Sequence, residues 1–113
     1  MRINLVVNTH RPDATEAARK TATHLREHRV EVGCDREGAE LVGVGAVADD
    51  RFGEADLAIS FGGDGTLIRT ADLCSERGTP ILGVYYGRFG FVTQCRPNEI
   101  GAALSQFFDG QAR

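Results

Sequence analysis

Cysteine is scarce, with Cys34, Cys74 and Cys95 widely spaced and none in a C-x-x-C pair. An odd, scattered set of this kind excludes a disulfide framework and a zinc knuckle, and reads as free thiols in a reducing cytoplasm. No apolar run approaches about 18 residues, which excludes a membrane-spanning helix. The opening lacks the basic-then-apolar order of a secretory signal, so a cytoplasmic protein is expected. An excess of positive charge is missing too. Thirteen Lys and Arg stand against sixteen Asp and Glu, a formal net charge of −3 with a pI near 5.5. That sign disfavours bulk binding to nucleic acid or to an anionic membrane. The 113 residues leave no room for a second full domain at roughly 100–200 residues per domain, yet they suffice to bury a core without staples. Internal repeats and low-complexity segments are absent.

Glycine, by contrast, is plentiful: fourteen residues, clustered at 62–65 and 83–90, where loops must approach something closely. Ile3, Leu5, Val6 and Val7 read as a buried strand ended by Asn8, Thr9 and the Arg11-Pro12 pair. Asp13 and Glu16 match a capping box for a following helix, whose inner face is Ala14, Ala17, Ala18, Thr21, Ala22 and Leu25. Val30 and Val32 suggest a short strand. Residues 33–55, rich in acidic residues and glycine, predict an irregular, partly mobile connection. Leu57 to Phe61 is a near-continuous apolar strand running into Gly62-Gly63-Asp64-Gly65-Thr66. Leu67 to Glu76 reads as a helix with Leu67, Ala71 and Cys74 inward and Gly78 as its stop. Pro80 to Val84 is another strand, Tyr85 to Gly90 a glycine loop, and Phe91 to Thr93 a short extended piece. Pro97 opens a last helix with Ile100, Ala103, Leu104, Phe107 and Phe108 on its apolar face and Gly110 at its end. Strands alternating with helices imply an α/β fold: a Rossmann-like or phosphofructokinase-like open, mostly parallel sheet with flanking helices.

The segment 61–66 carries the chemistry. A strand that ends in two glycines, a carboxylate, a third glycine and a threonine at a helix start brings backbone N–H groups to face an anion. Ligands of open α/β sheets bind outside the carboxyl ends of strands. Asp64 would be repelled by a phosphate unless it holds a divalent metal or accepts a proton from an attacking hydroxyl, both standard roles in phosphoryl transfer. On mechanics alone the alternative stays open that Asp64-Gly65 is a plain turn and Gly62-Gly63 a tight strand exit.

Phe61-Gly62-Gly63-Asp64-Gly65-Thr66-Leu67, with Pro80-Ile81-Leu82-Gly83-Val84 and Gly87-Arg88-Phe89-Gly90-Phe91-Val92-Thr93, resembles the N-terminal domain of NAD kinases. The first stretch alone is shared with diacylglycerol and sphingosine kinases and is similar to one in 6-phosphofructokinases. The second is similar to the G-I-N-x-G-x-L-G-F-L of NAD kinases, while the P-x-G-T-x-N pattern of lipid kinases is absent. The resemblance implies Mg²⁺-dependent phosphoryl transfer from ATP or polyphosphate to the adenosine 2′-hydroxyl of NAD, giving NADP. It implies that Asp64 is the catalytic carboxylate, and that Gly62, Gly63, Gly65, Thr66 and Arg88 meet phosphate. Asp64, Gly65 and Phe91 would contact NAD. It also implies a homo-oligomer.

Two departures stand out. Tyr85 occupies the position of the family's usual Asn, which alters a pocket wall or offers a ring to stack on a base. Motifs of the family's β-rich second domain are absent, so the 113 residues read as one nucleotide-binding domain, expected to be inactive alone. A non-catalytic nucleotide-binding module and a lipid-kinase-like domain are the alternatives.

Three other patterns invite a different function. Gly87 to Thr93 approximates an RNA-recognition signature with its first two residues exchanged, but a second aromatic motif and a basic surface are missing. His24-Leu25-Arg26-Glu27-His28 fits H-x-x-E-H, a zinc-peptidase pattern, without a downstream third ligand. Gly43-Val44-Gly45-Ala46-Val47-Ala48 fits the dinucleotide fingerprint G-x-G-x-x-A, but lacks a strong strand before it and a helix after it. These read as a loop, a solvated helix end and a loop, respectively. Cys74 reads as core packing.

Overall fold

The computed structural model describes residues 1–86 and 94–111. Six strands form one parallel sheet in the order β3-β2-β1-β4-β5-β6: β1 (Arg2–Val7), β2 (Glu31–Cys34), β3 (Gly45–Ala46), β4 (Leu57–Gly62), β5 (Ile81–Tyr85) and β6 (Gln94–Cys95). Helices α1 (Pro12–Glu27), α2 (Arg36–Val42), α3 (Asp64–Cys74) and α4 (Ile100–Gln111) flank it. The central strands are buried on both faces, as parallel sheets require. All six residues of β4 are buried.

The two faces separate cleanly by residue parity. Ile3, Leu5 and Val7 of β1, with Leu57, Ile59 and Phe61 of β4, pack against Ala14, Ala18, Ala22 and Leu25 of α1 and against Ile100 and Leu104 of α4. Val6 and Ala58 point the other way, onto Phe52 and Cys74. Small side chains on α1 let its backbone lie close to the sheet, while α3 covers the second face with a 3-10 turn at Asp49–Glu54. The fully buried Asn4 donates from Nδ2 to the Phe52 carbonyl at 2.9 Å, pinning that turn to the sheet.

Several local expectations need correction. Asp13 and Glu16 form no capping box. Pro12, which has no N–H, takes the first helical position, so Asp13 falls inside α1 and Arg11 becomes the N-cap without a side-chain cap. The Asp13 carboxylate accepts from the Arg11 guanidinium at 3.1 and 3.0 Å instead. Residues 33–55 are not an irregular connection. They hold α2, β3 and the 3-10 turn, with the fully buried Phe52 as anchor. Gly43, at φ 85°, ends α2, and β3 pairs with β2, so the G-x-G-x-x-A pattern is a helix stop and an edge strand.

Helix α3 starts at Asp64, three residues earlier than expected, and ends at Cys74. Its inner residues are Thr70 and Cys74 with half-buried Leu67 and Leu73, whereas Ala71 is exposed. Gly78 has φ 62° and donates to the Cys74 carbonyl at 3.0 Å, closing the turn after the helix. Tyr85 closes β5 rather than opening the loop. Pro97 starts a 3-10 turn over Pro97–Glu99, after which α4 runs through Gly110 to Gln111. The extended piece 91–93 lies outside the described residues, which include no helix long and apolar enough to cross a membrane.

Candidate functional site

The strand order dictates where a ligand fits. From β1 the chain moves to β2 on one side, and from β4 it moves to β5 on the other. The connections after β1 and β4 therefore leave toward opposite faces and open a crevice at their carboxyl ends, the position at which open α/β sheets bind ligands. The two strands stay in register to their ends, with Val7 opposite Phe61 and the Asn8 N–H donating to the Phe61 carbonyl at 2.9 Å. Beyond them lies a cleft of about 280 Å³ lined by Asn8, Thr9 and His10 of the first loop, by Gly63, Gly65 and Thr66 of the second, and by Glu37 and Arg69.

The three glycines of the loop do different work. A Cβ on Gly62 would stand 2.5 Å from Thr66 Oγ1, 2.9 Å from Thr66 Cβ and 3.0 Å from Asn8 Cβ. Glycine at 62 is therefore demanded by packing, because it lets the first turn of α3 fold against the strand end. Gly63 and Gly65 meet no described residue within 4 Å. Neither has a positive φ, so no internal contact or backbone strain requires glycine there. Both border the cleft, where the lack of a side chain leaves the helix N-terminus open. Gly63 is the N-cap, and the first intrahelical bond of α3 is from the Leu67 N–H to the Gly63 carbonyl at 3.1 Å. The N–H groups of the first turn before it carry the partial positive charge of a helix start.

Asp64 is the first residue of α3 and is exposed. It stands outside the lining of the cleft, which Gly63, Gly65 and Thr66 share. Gly62 sits behind the loop, fully within the core layer. Arg88 and Phe91 lie outside the described residues.

Sequence reasoning missed Arg69 and Asp35. Asp35 follows β2 and is fully buried. An acidic residue at that strand end is where dinucleotide-binding sheets hold a ribose, but its oxygens here are taken. Oδ2 accepts from Arg69 Nη1 at 2.6 Å, and Oδ1 accepts from the Cys34 thiol at 3.2 Å and the Val7 N–H at 3.4 Å. Arg69 also reaches Glu37 at 4.0 Å. Burial, reinforced by the neighbouring Asp35 carboxylate, pushes the Cys34 thiol far up, so it stays protonated and donating. Only the strand order, which sets β2 beside β1, brings Asp35 next to α3. Asn8, Thr9 and His10 carried a weaker signal, as the polar residues that stop β1.

An open parallel sheet with a glycine-lined helix start at its switch point defines a nucleotide- or phosphate-binding α/β domain. Comparison with known proteins makes this specific. Residues 3–112 match the family model of the ATP-NAD kinase N-terminal domain, and the chain belongs to that family. It is 36% identical over 113 residues to an NAD kinase of Heliobacterium modesticaldum, covering 98% of this chain and 40% of the relative. It is 34% identical to an NAD kinase of Moorella thermoacetica, covering 99% and 37%. The fold superposes on yeast NADH kinase, solved in complex with NADH, with a TM-score of 0.80 at 18% identity, covering 94% of this chain and 37% of that one. The chain thus spans about 40% of the length of the curated relatives it matches.

Proposed function

We infer that this chain is the phosphate-handling domain of an NAD kinase, transferring a phosphoryl group from ATP or polyphosphate to the adenosine 2′-hydroxyl of NAD to give NADP. One observation carries the reading. Gly63 and Gly65 are glycines that no contact among the described residues requires, and they face the switch-point cleft in a chain of this family.

The chemistry follows from the arrangement. Donor phosphates sit against the N–H groups of Gly65 and Thr66 in the cleft, where the helix start attracts negative charge. Arg69 is the cation of that cleft, but it faces Asp35 and Glu37. The described side chains of the cleft therefore supply no net positive charge for a highly anionic donor, and a divalent cation would offset its charge. Among the described residues no three His, Cys, Asp or Glu converge to hold a metal. That fits Mg²⁺, which binds through one or two carboxylates plus substrate phosphates and keeps its waters. Mg²⁺, when bound, neutralises charge developing on the transferred group.

Asp64, exposed and outside the residues that line the cleft, accepts the proton of the acceptor hydroxyl while the donor lies against the backbone. Most of the acceleration then comes from holding donor and acceptor in line, with no covalent intermediate. NADH, the ligand of the yeast neighbour, presents the same 2′-hydroxyl and is a second candidate acceptor. Phe91 against the adenine and Arg88 on phosphate complete the site by family resemblance, as do a cytoplasmic location and a homo-oligomeric enzyme with a second domain.

The test is Asp64→Asn in the enzyme that carries this domain, assayed for NADP formation with Mg²⁺ and ATP. Loss of a general base costs about 10²–10⁴-fold in turnover, with unchanged thermal unfolding because Asp64 is exposed. Turnover within a few-fold of wild type would remove Asp64 from the chemistry.

A further inference from the structure

The His24 and His28 pair of the H-x-x-E-H pattern is not a helix end facing bulk water alone. The two rings meet edge to face, 4.5 Å between centroids, and both line a cavity of about 540 Å³, nearly twice the volume of the switch-point cleft. This cavity lies at the other end of the sheet, where Met1 precedes β1 and Val30 precedes β2, and α4 closes it with Leu104, Ser105 and Phe108.

Its floor is apolar. Leu104 is 1% and Val30 8% exposed, and half-buried Phe108 stands beside them. Among the described residues its nitrogen-bearing side chains are His24, His28 and Arg29, against the one carboxylate of Asp109. A third metal ligand is missing among the described residues, so the histidine pair is no zinc site.

Arg29 is the informative member. It has φ 62°, and it is the one non-glycine residue with a positive φ among those described. The bonds from the Arg29 N–H to the Arg26 carbonyl and from the Val30 N–H to the Leu25 carbonyl, both 3.0 Å, form a helix-terminating motif at a position where glycine relaxes the backbone and a side chain strains it. The Arg29 side chain has no ion pair or hydrogen bond with any described residue. A strained arginine with an uncommitted guanidinium, over an apolar floor and beside two histidines, has the makings of an anion receptor.

We propose that this cavity binds a free small amphipathic carboxylate, its carboxylate on Arg29 flanked by His24 and His28 and its apolar body on Val30, Leu104 and Phe108. The site is remote from the phosphate loop, and the proposal is independent of the kinase reading. The guanidinium gives a charge-assisted hydrogen bond where water would otherwise solvate it, and the floor takes a chain or ring out of water.

Sodium octanoate is the probe, titrated into the chain at pH 7 and followed by amide NMR, with 1-octanol as the uncharged control. Saturable shifts are expected at His28, Arg29, Val30, Leu104 and Ser105, with octanol at least about tenfold weaker. Arg29→Gly relieves the positive φ, so the variant folds at least as well as wild type, and it should bind octanoate about tenfold or more weakly. Ser105→Phe, from an exposed position on α4, fills the cavity and should abolish the shifts. Equal affinity for octanol and octanoate, unchanged binding by Arg29→Gly, or no saturable shift in wild type would each overturn the proposal.

Discussion

Replacing the glycines of the 62–65 loop one at a time by alanine separates the position that holds the fold from those we propose to meet the phosphate. At Gly62 the new Cβ lies 2.5 Å from Thr66 Oγ1 and 2.9 Å from Thr66 Cβ. Neither atom belongs to a flexible chain end, and Thr70 fixes this turn by donating from Oγ1 to the Thr66 carbonyl at 2.7 Å. Overpacking of this kind costs about 1–3 kcal/mol. An unfolding entropy of about 2.1 cal/mol/K per residue makes each kcal/mol worth about 4 °C in a chain of 113 residues. Gly62→Ala should therefore lower Tm by about 4–12 °C. Gly65 is the second residue of α3 with open space around it, so alanine there gains up to about 1 kcal/mol of helix propensity and Tm should rise by about 2–4 °C. Gly63→Ala, at the N-cap, where glycine is preferred over alanine, should cost up to about 1 kcal/mol and lower Tm by up to about 4 °C. Far-UV circular dichroism during reversible heating reads all three. A Gly62→Ala protein within about 2 °C of wild type, or a Gly65→Ala protein that loses as much as Gly62→Ala, would refute the division of labour drawn from the loop geometry. The same Gly63 and Gly65 variants, folded and stable, should bind tripolyphosphate less well because a methyl group now occupies the cleft.

Other expectations follow from the buried polar groups and the core. Arg69→Leu strands the fully buried Asp35 carboxylate and should cost about 3 kcal/mol in urea unfolding. Adding Asp35→Asn should return part of the loss, and simple additivity of the two would contradict a coupled pair. Phe52→Ala empties a fully buried site under β1 and β4 and should cost about 3–5 kcal/mol; a change below about 1 kcal/mol would mean that the 3-10 turn is not anchored as described. Burial raises the Cys74 thiol and raises Cys95 to about 11. All three thiols should react slowly with a disulfide reagent at pH 8 until the protein unfolds. Because the folded value of Cys95 lies above the ordinary 9.0, the stability this thiol contributes is complete below about pH 9 and is lost as pH rises toward about 11. Stability that rises over that interval would contradict the burial.

The strands from Ile3 to Val7 and from Leu57 to Phe61 were legible because buried parallel strands are continuous apolar runs, and the glycine loop because its pattern has a mechanical meaning. Helix α2 was not, since its seven residues bury only Gly38, Ala39 and Val42 and its acidic residues resemble a loop. The start of α3 was placed late because the motif itself, from Asp64 onward, is already helical. Composition hides this, as all three of its first residues, Asp64, Gly65 and Thr66, are poor helix formers. Asp35 and Arg69 could not be paired from sequence. They are 34 residues apart, and only the neighbouring of β2 with β1 brings them together. The Asp13 capping box failed for a local reason, Pro12 having claimed the first turn.

The central claim is that the switch-point cleft is a preformed phosphate site. It is tested most directly by titrating the isotope-labelled chain with Mg-tripolyphosphate and following the amides of Asn8, Gly63, Gly65 and Thr66. Saturable shifts confined to these residues and their neighbours, with those at the sheet's opposite end near Arg29 unmoved, are the predicted result. A dispersed spectrum in which the Gly63, Gly65 and Thr66 amides ignore the ligand would contradict the claim.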